Sequence, residues 1–250
     1  DGGKTWSATF AAKEGANSLQ VRQIDKAGNI SEGQAVAFTL DTHVDTGTEA
    51  LVSVALSHFN ASTKSNLSYT VAGLDADASA TLVFSDKNGF TKTVTVNADG
   101  TANTSLAGLA DGNISVALNI ADTAGNTVTR VGPTLQLDAT APAQVSIATV
   151  AGNDVINLSE ANTGVNLTGV TEVGSTVSVR VGADTNTFSA SVDAAGHWSL
   201  SLTKAQIETI GQGVKQIVVT NTDAFGNATK GTPKSVTIDT LAPTSPLLAN

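Results

Sequence analysis

Apolar and polar residues alternate along most of the chain. Between positions 144 and 238 the alternation falls into seven short runs: QVSIATV (144–150), VNLTG (165–169), STVSVRV (175–181), TFSASV (187–192), WSLSL (198–202), VKQIVVT (214–220) and KSVTI (234–238). A period of two places successive side chains on opposite faces of an extended chain. These runs are rich in Val, Ile, Thr and Ser, and clusters of Gly, Asn, Asp or Pro separate them, so each predicts a half-buried strand. The one helical hint, TKAQIETIG at 203–211, reads as a single turn crossing between sheets.

Three short motifs recur with one period. The turns DKAGN (25–29), DTAGN (122–126) and DAFGN (223–227) begin at Asp25, Asp122 and Asp223, spaced by 97 and 101 residues. The segments Leu40-Asp41-Thr42, Leu137-Asp138-Ala139-Thr140-Ala141-Pro142 and Ile238-Asp239-Thr240-Leu241-Ala242-Pro243 carry aspartates at the same two spacings. A third series, DGGKTW (1–6), NADGTA (97–102) and DAAGHW (193–198), keeps Gly3, Gly100 and Gly196 at intervals of 97 and 96 residues. Markers that share a period make a tandem array. Seven strands in about a hundred residues is the size of an immunoglobulin-like sandwich, whose two antiparallel sheets bury their apolar faces against each other. The expected fold is therefore all-β, with such sandwiches in tandem, end to end as a rod.

The markers also set the expected boundaries. Residues 42–138 and 139–239 each make a complete domain, residues 1–41 supply the last three strands of another, and 240–250 form a linker and the start of a following one. Three strands alone would leave a sheet face and an edge uncovered, so the chain is expected to continue in both directions.

Composition narrows the chemistry. There is no cysteine or methionine, and aromatic residues make up 4% of the chain, which excludes disulfide staples and thiolate metal sites. No apolar run is long enough to span a membrane. The net charge of −9 and pI near 4.6 oppose nucleic-acid binding, which needs a basic face, and leave carboxylates available for cations. Serine-hydrolase, P-loop and dinucleotide-binding signatures are missing, so nothing supports an enzyme. Asp45-Thr46-Gly47 spells the aspartic-protease triplet, but the triplet occurs once and that chemistry needs a pair. His43, His58 and His197 share no register and no ligand spacing. Trp6 and Trp198 occupy equivalent corners, which favours a core plug over a sugar-stacking platform. The N-x-S/T sequons, among them those at Asn60, Asn66, Asn103, Asn113, Asn157, Asn166 and Asn227, are weak signals in a chain this rich in Asn, Ser and Thr.

The D-x-A-G-N turns, the D-x-x-A-P junctions, the D-G-x-W corner and the stretch GNDVINLSEANTGVNLTGVTEVGSTVSV (152–179) resemble the bacterial immunoglobulin-like repeat domains of giant surface adhesins. Such adhesins are exported by type I secretion in Gram-negative bacteria. The resemblance covers essentially the whole chain. It implies calcium-stabilised spacers, stacked end to end, that carry a binding tip away from the cell, with neighbouring repeats as partners. A host-cell glycan or protein would then be bound through the full-length adhesin. The alternative reading is that one of these domains is itself a glycan- or protein-binding module.

Strand order allows a geometric reading of the acids. In an antiparallel sandwich the turns holding Glu172, Asp193 and Asp223 return to the end where Asp138 enters, so these carboxylates are expected to converge there. Calcium takes six to eight oxygens at flexible angles and suits such a cluster better than magnesium or zinc. In the preceding repeat, aligning DASATLVF (77–84) with EVGSTVSV (172–179) sets Asp77 against Glu172, and Asp41 and Asp122 fill the other places, with Asp45 as a further donor. Asp25 and Asp239 hold the same positions in the flanking repeats. Asp154, Asn157 and Glu160 suggest a second site at the opposite end, although HFNASTKSN (58–66) offers no acid there. Each aspartate has a plainer use too, since its carboxylate can accept main-chain N–H groups within its own turn. Without the ion the clustered carboxylates would repel one another, and the junction would become a flexible hinge.

Overall fold

The computed structural model of the chain describes residues 5, 7–44, 50–183 and 185–243. The corner residues Gly3 and Trp6 and the triplet Asp45-Thr46-Gly47 lie outside the described residues. The described residues are predominantly extended, and contacts gather the chain into two units. One comprises Asp1–Ala55, Ser68–Thr104 and Ile114–Thr134, the other Leu56–Leu67, Ser105–Asn113 and Leu135–Asn250.

In the first unit, β1 (Gly15–Val21) and β2 (Gln34–Leu40) form an antiparallel hairpin. The next strands along the chain are β3 (Leu51–Val54), β4 (His58–Phe59), β5 (Leu67–Ala72), β6 (Ala78–Ser85), β7 (Thr91–Val96), β8 (Gly100–Thr104), β9 (Gly112–Asp122), β10 (Thr127–Val131) and β11 (Leu135–Leu137), of which β4 and β11 belong to the second unit. β3, β5 and β8 make a three-stranded sheet, while β6 pairs antiparallel with β7 and β9, and β9 with β10. The alternation read from the sequence is the alternation of burial. Along β6, Ala78, Ala80, Leu82 and Phe84 are buried, and along β9 so are Ile114, Val116, Leu118 and Ile120. Each full burial of a Val, Leu, Ile or Phe side chain contributes about 1.5–3 kcal/mol.

The second unit contains β4 and β11, which pair in parallel, and the elements of 139–239. These are β12 (Val155–Asn157), α1 (Leu158–Thr163), β13 (Val165–Val170), β14 (Thr176–Val181), β15 (Thr187–Val192), β16 (His197–Leu202), α2 (Lys204–Ile210), β17 (Gly213–Thr222), β18 (Ala228–Lys230) and β19 (Lys234–Asp239). The strand order is β12-β19-β17-β14-β15-β16-β13, with β18 on β17. β15 belongs to both faces of the sandwich: residues 187–190 pair with β14 and residues 191–192 with β16. Between the faces lies one core, which includes Leu167, Val179, Trp198, Ile217 and Val219.

Six of the seven strands expected here form within two residues of their expected bounds. The segment 144–150 behaves differently. Its N–H groups bond as a strand would, Ser146 to the Val170 carbonyl at 2.9 Å and Ala148 to the Thr168 carbonyl at 2.8 Å. The return bonds do not form a ladder, because the Ser146 carbonyl accepts the Trp198 indole N–H at 2.9 Å and the Val170 N–H turns to the Ser146 hydroxyl at 3.0 Å. Trp198 is thus a core plug, 1% exposed, that takes a strand's acceptor for its own buried donor.

The expected crossing turn is the seven-residue helix α2, started by a reciprocal cap between Thr203 and Gln206 and ended at Gly211 (φ 82°). The periodicity missed α1, a single short helix capped by Asn157 and Glu160.

Candidate functional site: the fastened linkers

Five turns of the chain follow the pattern Asp-x-x-Gly-x, and the leading carboxylate does the same work in each. Asp25 Oδ1 accepts the N–H groups of Ala27 and Asn29, Asp122 Oδ1 those of Gly125 and Asn126, and Asp223 Oδ1 those of Phe225 and Asn227, all at 2.7–2.9 Å. Asp86 and Asp193, which lead turns without the final asparagine, accept equivalent bonds from Asn88 and Phe90 and from Ala195 and His197. The aspartate is therefore required by the turn itself, an Asx arrangement that satisfies main-chain donors around a left-handed glycine.

The asparagine does something more. Its Nδ2 group donates to the second carboxylate oxygen of its own turn, at 2.7 Å in Asn29, 2.7 Å in Asn126 and 2.8 Å in Asn227. In two of the three turns it also reaches the junction aspartate, Asn126 donating to the Asp41 carbonyl at 3.2 Å and Asn227 to the Asp138 carbonyl at 2.9 Å. The carboxylate fixes the amide, and the amide holds the linker.

A second device grips the linker from the other side, at positions the sequence reading passed over. Glu14, Asp111 and Gln212 each precede the glycine that opens β1, β9 and β17, at the shared spacings of 97 and 101 residues. Glu14 accepts the Thr42 N–H and hydroxyl. Asp111 accepts the Ala139 N–H and the Thr140 hydroxyl. Gln212 accepts the Thr240 N–H at 3.0 Å and donates to its hydroxyl at 2.6 Å. An acid or amide before glycine, in register with the other motifs, was the available signal.

Further bonds seat the linker after Asp138. Glu172 accepts the Ala143 N–H at 2.8 Å, Asn221 donates to the Ala143 carbonyl at 2.8 Å, and Thr229 to the Pro142 carbonyl at 2.7 Å. Asn221 is fully buried, and Ile120 stands at its position in the preceding repeat. The loop that follows β4 meets the 223–227 turn. Ala61 N–H donates to Asn227 Oδ1 at 2.9 Å, Asn60 Nδ2 donates to the Phe225 carbonyl at 2.8 Å, and the rings of His58 and Phe225 lie 5.7 Å apart. Asn227 is accordingly 5% exposed, whereas Asn126 is half-buried and Asn29 exposed.

Hydrogen bonding leaves these carboxylates more acidic than usual. The Asn29 amide draws Asp25 down, the Asn126 amide draws Asp122 down, and the Thr42 hydroxyl lowers Glu14. At Asp223 burial is the largest influence and acts upward, but the Asn227 amide and main-chain N–H groups together outweigh it. Asp111 follows the same balance, with Thr140 and Ala139 as its donors.

The structure places the expected ligands as follows. Asp138 and Asp223 are joined through Asn227, and Asp41 and Asp122 through Asn126. Asp41, Asp138 and Asp239 also each accept the N–H two residues on. Asp193 closes on its own turn and on His197. The alignment of Asp77 with Glu172 is corrected by register. Ala80 pairs with Ile120 as Val177 pairs with Asn221, and the turns 75–78 and 172–175 close with the same bond, so Asp75 stands at the Glu172 position and Asp77 opposite Gly174. Asp154 binds Lys234 at 3.0 Å and the Val150 N–H, while Asn157 and Glu160 cap α1. Thr63 replaces Glu160 in the equivalent cap of Asn60, which is why the 58–66 loop needs no acid. Among the described residues no three His, Cys, Asp or Glu side chains form a group that could hold a metal ion. The donors at the linkers are oxygens of carboxylates and carbonyls, the kind that calcium takes, and a carboxylate with about four lone-pair sites retains one after the three bonds at Asp223.

No curated protein matches the sequence. Among solved structures, a Ca2+-stabilised adhesin with which an Antarctic bacterium binds ice is 29% identical over 92% of this chain and 58% of its own, with a TM-score of 0.45. A 1.5-MDa bacterial ice-binding adhesin is 21% identical over 78% of this chain and 67% of its own, with a TM-score of 0.40. A tetra-tandem repeat from the extending region of a large adhesion protein is 24% identical over 89% and 57%, with a TM-score of 0.36. The chain thus spans less than two thirds of the length of two of these three. Residues 141–239, the segment whose sandwich is described above, match the bacterial Ig domain family.

Proposed function

We propose that the chain is a spacer segment of a bacterial adhesin that works outside the cell, in which linkers between Ig-like modules are fastened so that a distant binding tip is held away from the surface. The observation that carries this reading is the repeated linker grip. A D-x-x-G-N asparagine holds the junction aspartate at both Asp41 and Asp138, and Glu14, Asp111 and Gln212 hold the residues that follow. A chain whose recurring investment is in its linkers is built to control the joint between modules. The modules are taken as 42–138 and 139–239, with part of one in 1–41 and the start of another after 240. No catalytic activity is assigned, and attachment to host cells, surfaces or biofilm would belong to the full adhesin.

Calcium is proposed as the ion of these joints, at Asp138, Glu172 and Asp223, at Asp41, Asp122 and Asp75, and at the flanking Asp25 and Asp239. What supports it is the donor set, oxygen throughout, with the junction and turn aspartates held on one amide. The ion would supply positive charge between carboxylates that otherwise repel, at the free concentrations of about 10⁻⁴ to 10⁻³ M to which extracellular modules are tuned. Small-angle scattering of the 250-residue chain in calcium and in chelator tests this. The expected result is a narrower distribution of dimensions with calcium, and identical profiles would remove the ion from the proposal.

A further inference from the structure

We propose that the end of segment 139–239 carrying Val155, Asn157, Leu158 and Asp239 is the docking surface for the D-x-x-G-N turn of a further module of this kind. This rests on the spacer reading, and it names the partner.

The argument begins from a surface of the same build that is already occupied. The 223–227 turn sits on Asn60, Ala61 and Asp138, through Asn60 Nδ2 to the Phe225 carbonyl, Ala61 N–H to Asn227 Oδ1, and Asn227 Nδ2 to the Asp138 carbonyl. One module period later stand Asn157, Leu158 and Asp239, at the spacings of 97, 97 and 101 residues.

The local structure is repeated as well as the spacing. Phe59 pairs in parallel with Leu137, and Ile156 in parallel with Ile238. Asn60 Oδ1 accepts the Thr63 N–H at 3.0 Å, and Asn157 Oδ1 accepts the Glu160 N–H at 3.0 Å. In both asparagines the oxygen is committed to the cap, which leaves the amide N–H₂ as the group the cap does not use. Ala61 N–H and Leu158 N–H are each the first donor after the capping residue, a position that the following turn cannot satisfy. Asp111 holds Ala139 and Thr140 behind Asp138, and Gln212 holds Thr240 behind Asp239. The difference between the two surfaces is cover. Asn60 is half-buried against the turn, whereas Asn157 is exposed and Leu158 is 48% exposed.

The side chains also state which turn fits. Val155 stands where the His58 ring meets Phe225, so no ring is offered there to the turn's third residue, and Leu158, larger than Ala61, stands at that residue's position. A small third residue, as in DTAGN or DKAGN, suits it better than the phenylalanine of DAFGN.

The test uses the full chain lengthened after Pro243 by a second copy of residues 143–243, with Phe225→Ala in the added copy. Amide exchange at Leu158 is read by NMR, in calcium and in chelator. Docking predicts at least ten-fold slower exchange at Leu158 than in the unlengthened chain, and recovery of the original rate with Asn227→Ala in the added copy. Should that variant unfold, Asn157→Ser keeps the cap acceptor, removes the amide donor and is expected to recover part of the rate. Leu158 exchange that lengthening leaves unchanged overturns the docking surface. Scattering that ignores calcium while Leu158 is protected overturns the calcium reading alone.

Discussion

Asn227 joins two aspartates 85 residues apart in sequence: one amide nitrogen donates to the Asp138 carbonyl at 2.9 Å and to the Asp223 carboxylate at 2.8 Å. A side chain of this shape can make both bonds only because the carboxylate orients it, so the turn and the linker are mechanically one piece.

Removing that amide is expected to be costly in proportion to burial. Asn227→Ala removes a buried side chain and leaves the Asp138 carbonyl and the Ala61 N–H without it, for a loss of about 2–3 kcal/mol. Asn126→Ala, half-buried and with a longer linker bond, should lose less, and Asn29→Ala, which touches only its own turn, least. Urea unfolding of the three variants should rank them in that order.

The clamp behind the linker tolerates an amide, because Gln212 uses one where Asp111 uses a carboxylate. Asp111→Ala should cost about 1–2 kcal/mol for two lost bonds. Asp111→Asn should retain most of that stability, since its oxygen still accepts the Ala139 N–H while its nitrogen can donate to the Thr140 hydroxyl. Equal losses in the two variants, measured by thermal unfolding, would show that the bonds at Ala139 and Thr140 are not what matters.

Gly169 lies where Trp198 crosses the Ser146 carbonyl. A Cβ at 169 would meet that carbonyl oxygen and the indole nitrogen well inside contact distance. Gly169→Ala should therefore break the Trp198–Ser146 bond and cost about 3 kcal/mol or more, the range of strained or overpacked core sites. In a Trp6→Phe background, Trp198 emission should shift to the red, and unchanged emission would count against the arrangement.

Acid should weaken the molecule through the same carboxylates. Asp25, Asp122, Asp223, Asp111 and Glu14 are all held below their ordinary values. A depressed folded value means that the unfolded chain binds protons first, so stability is full above about pH 4 and is lost as pH falls through the lower folded values. Urea midpoints between pH 7 and pH 2.5 should show a plateau and then a decline, and Asp223→Asn should make the decline shallower.

The register of 97 and 101 residues, the strands and the sandwich class could all be read in the sequence, because alternation and turn chemistry are local and each period repeats them. The same locality explains the misses. Nothing in the letters of 144–150 reveals that Trp198 takes the Ser146 acceptor, and nothing in DASATLVF reveals that a turn closing at Ala78 brings Asp75 to the Glu172 position.

What the sequence by itself determined was that Asp, Gly and Asn recur together at one turn of each period and Asp at each linker. What the tertiary structure decided was the division of labour among them. Asp86 and Asp193 show that the leading carboxylate serves its own turn, while Asn126 and Asn227 carry the bond to the linker. The reason is physical: a carboxylate accepts but cannot donate, so only the amide can hold an aspartate carboxylate and a distant carbonyl at once.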